Sequence, residues 1–338
     1  MGSKNYKRTD IKEMTLNDKF TKWIREGKAD DLIFEAKAIV DNLSGRLFAD
    51  YEPTRGPHLD FQDRLESWLE KNKLSDKNQR VLFSLIRYLF FIGVKEFDTL
   101  FQVAFNEYFI TWLIDELDIK LDDAEIVQKL KVGIKETWFC PISDSLKISM
   151  FYHINRISGQ KYRPDWASLE KFGDKKSISK HIKTEKIKRI VLLEDFVGSG
   201  TQMKPIVEFA ALLDTSVPVL IIPFIICPEG LQVTVELMKK YKNLKVSPII
   251  NLSKEMFLKE KAVKNEAKSF GRLRKLVKGL DGQIFREQGS RLLGESSFGF
   301  MKTGAFVVTY ANCPNNSLAV IHKNTADWYA LFPRAVRH

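Results

Sequence analysis

Residues Ile190 to Met203 read IVLLEDFVGSGTQM. The apolar, β-branched run that begins near Lys188 and ends at Leu193 predicts a buried strand. It delivers two acids, Glu194 and Asp195, at its carboxyl end. The chain then turns through Gly198-Ser199-Gly200-Thr201, and a helix is expected from about Gln202 to Leu213. Glycines let a backbone approach a ligand closely. A turn that opens a helix offers unpaired N–H groups and the positive end of the helix dipole, which suit a phosphate. Ser199 and Thr201 add hydroxyl donors. Open α/β sheets bind ligands beyond the carboxyl ends of their strands. Strand, acid pair and phosphate cradle therefore read as one constellation, against the alternative of a plain glycine turn.

The flanking sequence predicts an α/β sheet around this strand. Pro218 to Ile226 is a second strong strand, Gly230 to Tyr241 a helix, and Leu244 to Ile249 a further strand. Upstream, the apolar run Thr137 to Ile142 ends at Ser143-Asp144-Ser145, and a helix follows from about Leu146 to Ser158, closed by Gly159. Gly304 to Tyr310, GAFVVTY, is a last buried strand. Strands alternating with helices predict a parallel sheet. Residues 1–130 read as a helical N-terminal region, with helices over Phe61 to Asn72, Gln79 to Ile92 and Phe97 to Leu117, and a Pro/Gly loop over Tyr51 to His58. Phe101, Phe105, Phe109 and Trp112 recur at helical spacing, a pattern that is most often core. The expected organisation is 1–130 helical and 131–338 α/β, with a basic helical insertion near 254–295 and its helix over 254–280.

Charge narrows the function classes. The chain has 338 residues and a net charge of +11. Lys171 to Arg189 and Lys254 to Leu280 each carry a net of +6, so the rest is nearly neutral. Localised positive charge points to an acidic partner, a nucleic acid or a phosphorylated ligand, or else to two solvated faces. Arg272, Arg274, Lys275 and Lys278 are the nucleic-acid candidates. The longest convincingly apolar stretch without a charge, Thr215 to Pro228, is too short and too proline-broken for a membrane span. MGSKNYKRTD at the start has no apolar core of a secretion signal. Cys140, Cys227 and Cys313 are scattered and odd in number, which fits buried thiols in a reducing, cytoplasmic setting. The histidines show no ligand spacing, so no metal held directly by side chains is expected.

Details of the loop separate the families that use glycine turns. There is no lysine for a Walker A loop. The third glycine of a dinucleotide fingerprint is Met203 here, and the acids precede the loop instead of following it. Acids just before a phosphate loop resemble the phosphoribosyl-pyrophosphate (PRPP) motif of type I phosphoribosyltransferases. Residues 137–159 resemble the first strand, pyrophosphate loop and helix of that fold. The C-terminal end, with Asn312 to Leu318 and Trp328 to Arg334, resembles the phosphoribosyltransferase-like effector domains of bacterial conflict systems, retron-associated and anti-phage. The resemblance covers about 137–338.

The resemblance implies an α/β fold with a parallel-sheet, type I phosphoribosyltransferase-like core. It implies that Glu194 and Asp195 touch the ribose hydroxyls, and that Gly198, Ser199, Gly200, Thr201 and Gln202 bind the 5-phosphate. Ser143, Asp144 and Ser145 become candidates for a pyrophosphate or Mg²⁺ loop, against an ordinary N-cap turn. Asn312, Asn315 and Asn316 either face the site or form an Asx turn. Arg334 is either a phosphate ligand or a surface ion pair. An aspartate of the hypoxanthine–guanine branch is replaced by Gly198, the closing loop threonine by Gln202, and a usual aromatic by His322. Those departures disfavour ordinary purine salvage. The implied function is an enzyme acting on PRPP or a related nucleotide with Mg²⁺, an anti-phage effector whose partners include a reverse transcriptase or another defence protein. The alternative is an inactive module that senses a nucleotide or docks on nucleic acid.

Overall fold

The computed structural model describes residues 14–27, 32–54, 60–158, 175–286 and 291–335. Its strands, in chain order, are β1 (Phe90–Ile92), β2 (Thr137–Pro141), β3 (Arg189–Val197), β4 (Val219–Ile226), β5 (Leu244–Val246), β6 (Ile250–Asn251) and β7 (Val307–Thr309). The main sheet has the order β2-β3-β4-β5, with β6 also on β4, and every pairing is parallel. β1 and β7 form a separate parallel pair, Phe90 opposite Val307. The chain thus adopts the α/β, parallel-sheet architecture that its strand–helix alternation predicts.

β3 is the organising strand because it is buried on both faces, as a central parallel strand must be. Its side chains alternate with period two. Ile190 and Leu192 enter a core with Trp138, Val207 and Ile221. Val191 and Leu193 enter another with Phe101, Phe139 and Leu220. The aromatic stripe of the N-terminal region covers that second face, with Phe101, Phe109 and Trp112 buried. The helices Met203–Leu213 and Pro228–Lys240 follow β3 and β4.

A third core joins the first helices to the C-terminal segment. Trp68 Nε1 donates to Val320 O at 2.8 Å, and Arg64 Nε to Leu331 O at 2.9 Å. Tyr51 Oη donates to Pro333 O at 3.0 Å and accepts from the Cys313 N–H at 3.1 Å. These bonds hold residues 312–334 against the N-terminal helical region.

Several boundaries differ from the sequence reading. Gln79 to Ile92 is not one helix: Asp76–Phe83 is helical, Ser84–Tyr88 tightens to a 3-10 turn, and Phe90–Ile92 is β1. The aromatic, β-branched end of that segment satisfies strand pairing with β7 better than a helix. The basic helix covers only Phe270–Gly279, after a 3-10 turn at Lys254–Met256. Between them, Phe257 and Leu258 are drawn into the cores, and Asn265 sits at φ 65° in the left-handed region, which breaks a continuous helix. β3 runs four residues beyond Leu193, so the acid pair lies inside the strand. The helix after β2 is Ile148–Ile154, and its expected stop Gly159 lies outside the described residues. So do Arg55 to Leu59 of the Pro/Gly loop and residues 171–174 of the first basic segment. No helix among the described residues is long and apolar enough to cross a membrane.

Candidate functional site

β2 and β3 lie side by side, with Pro141 opposite Leu193, so the turn after β2 meets the acids at the end of β3. The Ser143 N–H donates to Glu194 Oε2 at 3.0 Å, and Ser143 Oγ to Glu194 Oε1 at 2.8 Å. Ser145 Oγ donates to Asp195 Oδ1 at 2.7 Å, and the two serine hydroxyls are 2.6 Å apart. The Phe196 N–H closes on Asp195 Oδ1 at 2.8 Å. Ser143 and Ser145 are therefore not an N-cap; the helix that follows is capped by Lys147 without a side-chain bond. Both acids are nearly buried, at 6% and 7% exposed. Burial, reinforced by the charges of Asp195 and Asp144, pushes the Glu194 carboxyl well above the usual carboxylate range, and the Ser143 bonds only partly offset this.

Beyond Val197 the loop makes its turn at Gly200, where φ is +78°. An L side chain is strained there, and its Cβ would press on Val233 at 3.1 Å. Ser199 Oγ and Thr201 Oγ1 are 2.9 Å apart across the turn. The helix Met203–Leu213 begins directly after, with Gln202 at its N-cap. A recess of about 30 Å³ lies in this cradle, lined by Gly198 to Met203 together with Asn315 and Asn316.

Next to it opens a cavity of about 550 Å³. Glu194, Phe196, Gln202, Asn315 and Asn316 line both the cavity and the recess, and Asp195 lines the cavity. Ser143, Asp144, Ser145, Asn312, Asn315, Asn316 and Arg334 line the cavity. Their roles differ. Asn312 is mainly a clamp: its amide donates to Ala335 O at 3.0 Å, and its Oδ1 accepts from the Cys313 N–H at 3.0 Å. Asn316 is held by Thr303 Oγ1 at 3.0 Å. Arg334 Nη1 donates to Cys313 O at 2.7 Å, and no ion pair of Arg334 is found among the described residues.

A family model for PRTase-CE matches residues 65–334. The chain belongs to the PRTase-CE family. It is thus phosphoribosyltransferase-like, of the conflict-system effector kind. The match begins inside the N-terminal helices and ends at Arg334, so it takes in β1, the main sheet and the clamped C-terminal segment of this PRTase-CE member. No curated protein and no solved structure matches the chain.

Sequence reasoning missed part of the wall. His322, Lys323, Asn324 and Thr325, with Glu295 and Thr309, line the same cavity. His322 stood out only as a replaced aromatic, and no spacing rule tied 322–325 to a strand 130 residues earlier. The basic candidates lie elsewhere, on Phe270–Gly279. Arg272, Lys275 and Lys278 are exposed there, while Phe270, Leu273, Leu276 and Val277 pack inward. Arg274 is committed to an ion pair with Glu266 and donates to Lys259 O at 2.7 Å.

Proposed function

We propose that the cavity binds a phosphoribosyl ligand, PRPP or a related nucleotide, and breaks its bond at C1 of the ribose. The observation that carries this is the junction itself: an acid pair, a small recess at a helix N-terminus and a larger cavity meet at the carboxyl edge of β3. The 5-phosphate would sit at Ser199 to Gln202, where helix amides and hydroxyls favour an anion. The ribose hydroxyls would hydrogen-bond Glu194 and Asp195. Carboxyl oxygens of both side chains accept from hydroxyls, so the pair can hold both hydroxyls at once. Ser143 and Ser145 fix the rotamers of both acids. Arg334 faces the same space with donors to spare for a phosphate.

The donor set also fits Mg²⁺ arriving on a pyrophosphate. Asp144, Asp195 and the serine hydroxyls offer hard oxygen ligands, whereas the described residues contain no group of three side chains able to cage a metal alone. When bound, the ion would neutralise the charge that develops on the leaving pyrophosphate. The protein's share is to orient the sugar in a polar cavity. The role in anti-phage defence follows from the family and belongs to this proposal, as do a cytoplasmic setting and a defence partner protein.

Labelled PRPP with Mg²⁺ tests the reading. Release of pyrophosphate that is lost in Asp195→Asn supports it. Tight binding without release would favour the nucleotide-sensing module, and no binding at millimolar ligand would end it. A second surface, the exposed stripe Arg272, Lys275 and Lys278, supports docking of a nucleic acid apart from this cavity.

A further inference from the structure

The lining of the cavity carries two polar atoms that the fold leaves unpaired. His322 is 3% exposed and lines the cavity. Its Nε2 lies 3.2 Å from Ser317 O. A carbonyl only accepts, so the neutral ring carries its proton on Nε2 and presents Nδ1 as an acceptor. Nδ1 is buried and has no hydrogen-bond partner among the described residues. The same holds for Oγ1 of Thr325, which lines the same cavity three residues on. An unpaired buried polar atom costs about 1–3 kcal/mol, so each of the two calls for a partner that the protein itself does not supply. Burial and the charge of Arg334 hold the His322 pKa down at about 4, so the ring is a neutral acceptor at physiological pH.

We infer that His322 and Thr325 are the specificity pair of this cavity and read an uncharged amide-like edge, an N–H beside a carbonyl or ring nitrogen, on the part of the ligand attached to the ribose. Nδ1 demands a donor, and the Thr325 hydroxyl serves either a donor or an acceptor. A carboxylated ring would set lone pairs against Nδ1 and is disfavoured. Nucleobases and a carboxamide share the required edge. The inference rests on the phosphoribosyl reading, since the ribose on Glu194 and Asp195 is what aims the attached ring at this wall.

The test uses the full chain labelled with ¹⁵N-histidine. Ribose 5-phosphate, the five common nucleoside 5′-monophosphates, their nucleosides, nicotinamide mononucleotide and nicotinate mononucleotide are titrated in turn. At least one amide-edged mononucleotide should bind 10-fold or more tighter than ribose 5-phosphate and shift the Nδ1 resonance of His322, assigned by its loss in His322→Phe. His322→Phe keeps a flat ring at the position and removes the acceptor. Thr325→Val keeps the shape and removes the hydroxyl. Each should cut the advantage about 5- to 20-fold and leave ribose 5-phosphate binding unchanged. Whether base or carboxamide wins identifies the source of the edge. The inference is overturned if no mononucleotide outbinds ribose 5-phosphate, if nicotinate mononucleotide is preferred, or if both variants weaken ribose 5-phosphate equally. A nucleoside that shifts Nδ1 while ribose 5-phosphate fails to bind would sink the phosphoribosyl reading and leave the specificity pair standing; silence from both sinks both.

Discussion

A Cβ added to Gly198 would lie 2.2 Å from Oδ1 of Asn316. The C-terminal segment therefore fills the space that a side chain in the loop would need. In the hypoxanthine–guanine phosphoribosyltransferases that this loop resembles, an aspartate stands at that place. Here a non-ionising amide from 118 residues further along the chain occupies it, anchored by Thr303. The glycine and the asparagine are one packing decision, and the site has no carboxylate where the hypoxanthine–guanine branch has one.

Gly198→Ala should consequently lose about 1–3 kcal/mol by overpacking, because Asn316 is buried and tied down. Adding Asn316→Ala should recover at least 1 kcal/mol of that loss, although the second change alone also destabilises. Urea unfolding of the two single variants and the double variant gives the coupling directly. Additive effects would mean that the loop and the C-terminal segment are not in contact.

Glu194→Gln separates stability from function. The folded pKa of Glu194 is raised, so its contribution to stability is full below the ordinary carboxylate range and is lost as pH rises through the folded value. The amide removes that loss and can still bond to Ser143. Melting temperature at pH 8 should rise by a few degrees, while binding of PRPP weakens at least 10-fold. A lower melting temperature at pH 8 would contradict the burial argument.

Much of this was legible from residues alone. The run Ile190 to Leu193 fixed a central strand because only a doubly buried parallel strand reads as continuous β-branched and leucine residues. The acids and glycines after it marked the site because polar groups at a strand's end have few other uses. The wall at 322–325 was not legible. Its residues reach the cavity through bonds such as Trp68 to Val320 and Tyr51 to Pro333, which span about 250 positions or more and leave no local periodicity. The helix boundaries at 84–92 and 257–269 failed for a related reason: pairing with β7 and burial of Phe257 and Leu258 outweighed local propensity.

His322 sets an acid limit. Its pKa is lowered from 6.5 to about 4, so the stability it supports is present above the unfolded value and is lost as pH falls toward the folded one. Between pH 7.5 and 4.5 this one group should account for about 2–3 kcal/mol of lost stability. His322→Gln should unfold in urea with a correspondingly smaller acid loss than the parent. Equal acid losses in both proteins would show that His322 is not buried as a neutral ring.

The basic helix makes a separate, salt-dependent prediction. Arg272, Lys275 and Lys278 recur every three residues on the exposed side of Phe270–Gly279, opposite Leu273, Leu276 and Val277. Arg274 differs: its ion pair with Glu266 and its bond to Lys259 O make it part of the scaffold. If the stripe meets a nucleic-acid backbone, each cation that reaches a phosphate adds about 0.7–0.9 to the slope of log K against log salt. The triple change of Arg272, Lys275 and Lys278 to Gln should therefore flatten that slope by about 2–3 and leave thermal stability and PRPP binding unchanged. Arg274→Gln should do the reverse, lowering stability because Glu266 is left half-buried without its partner, with little effect on the slope. Binding by the parent that is insensitive to salt, or a flat slope in Arg274→Gln alone, would assign this charge to a different role.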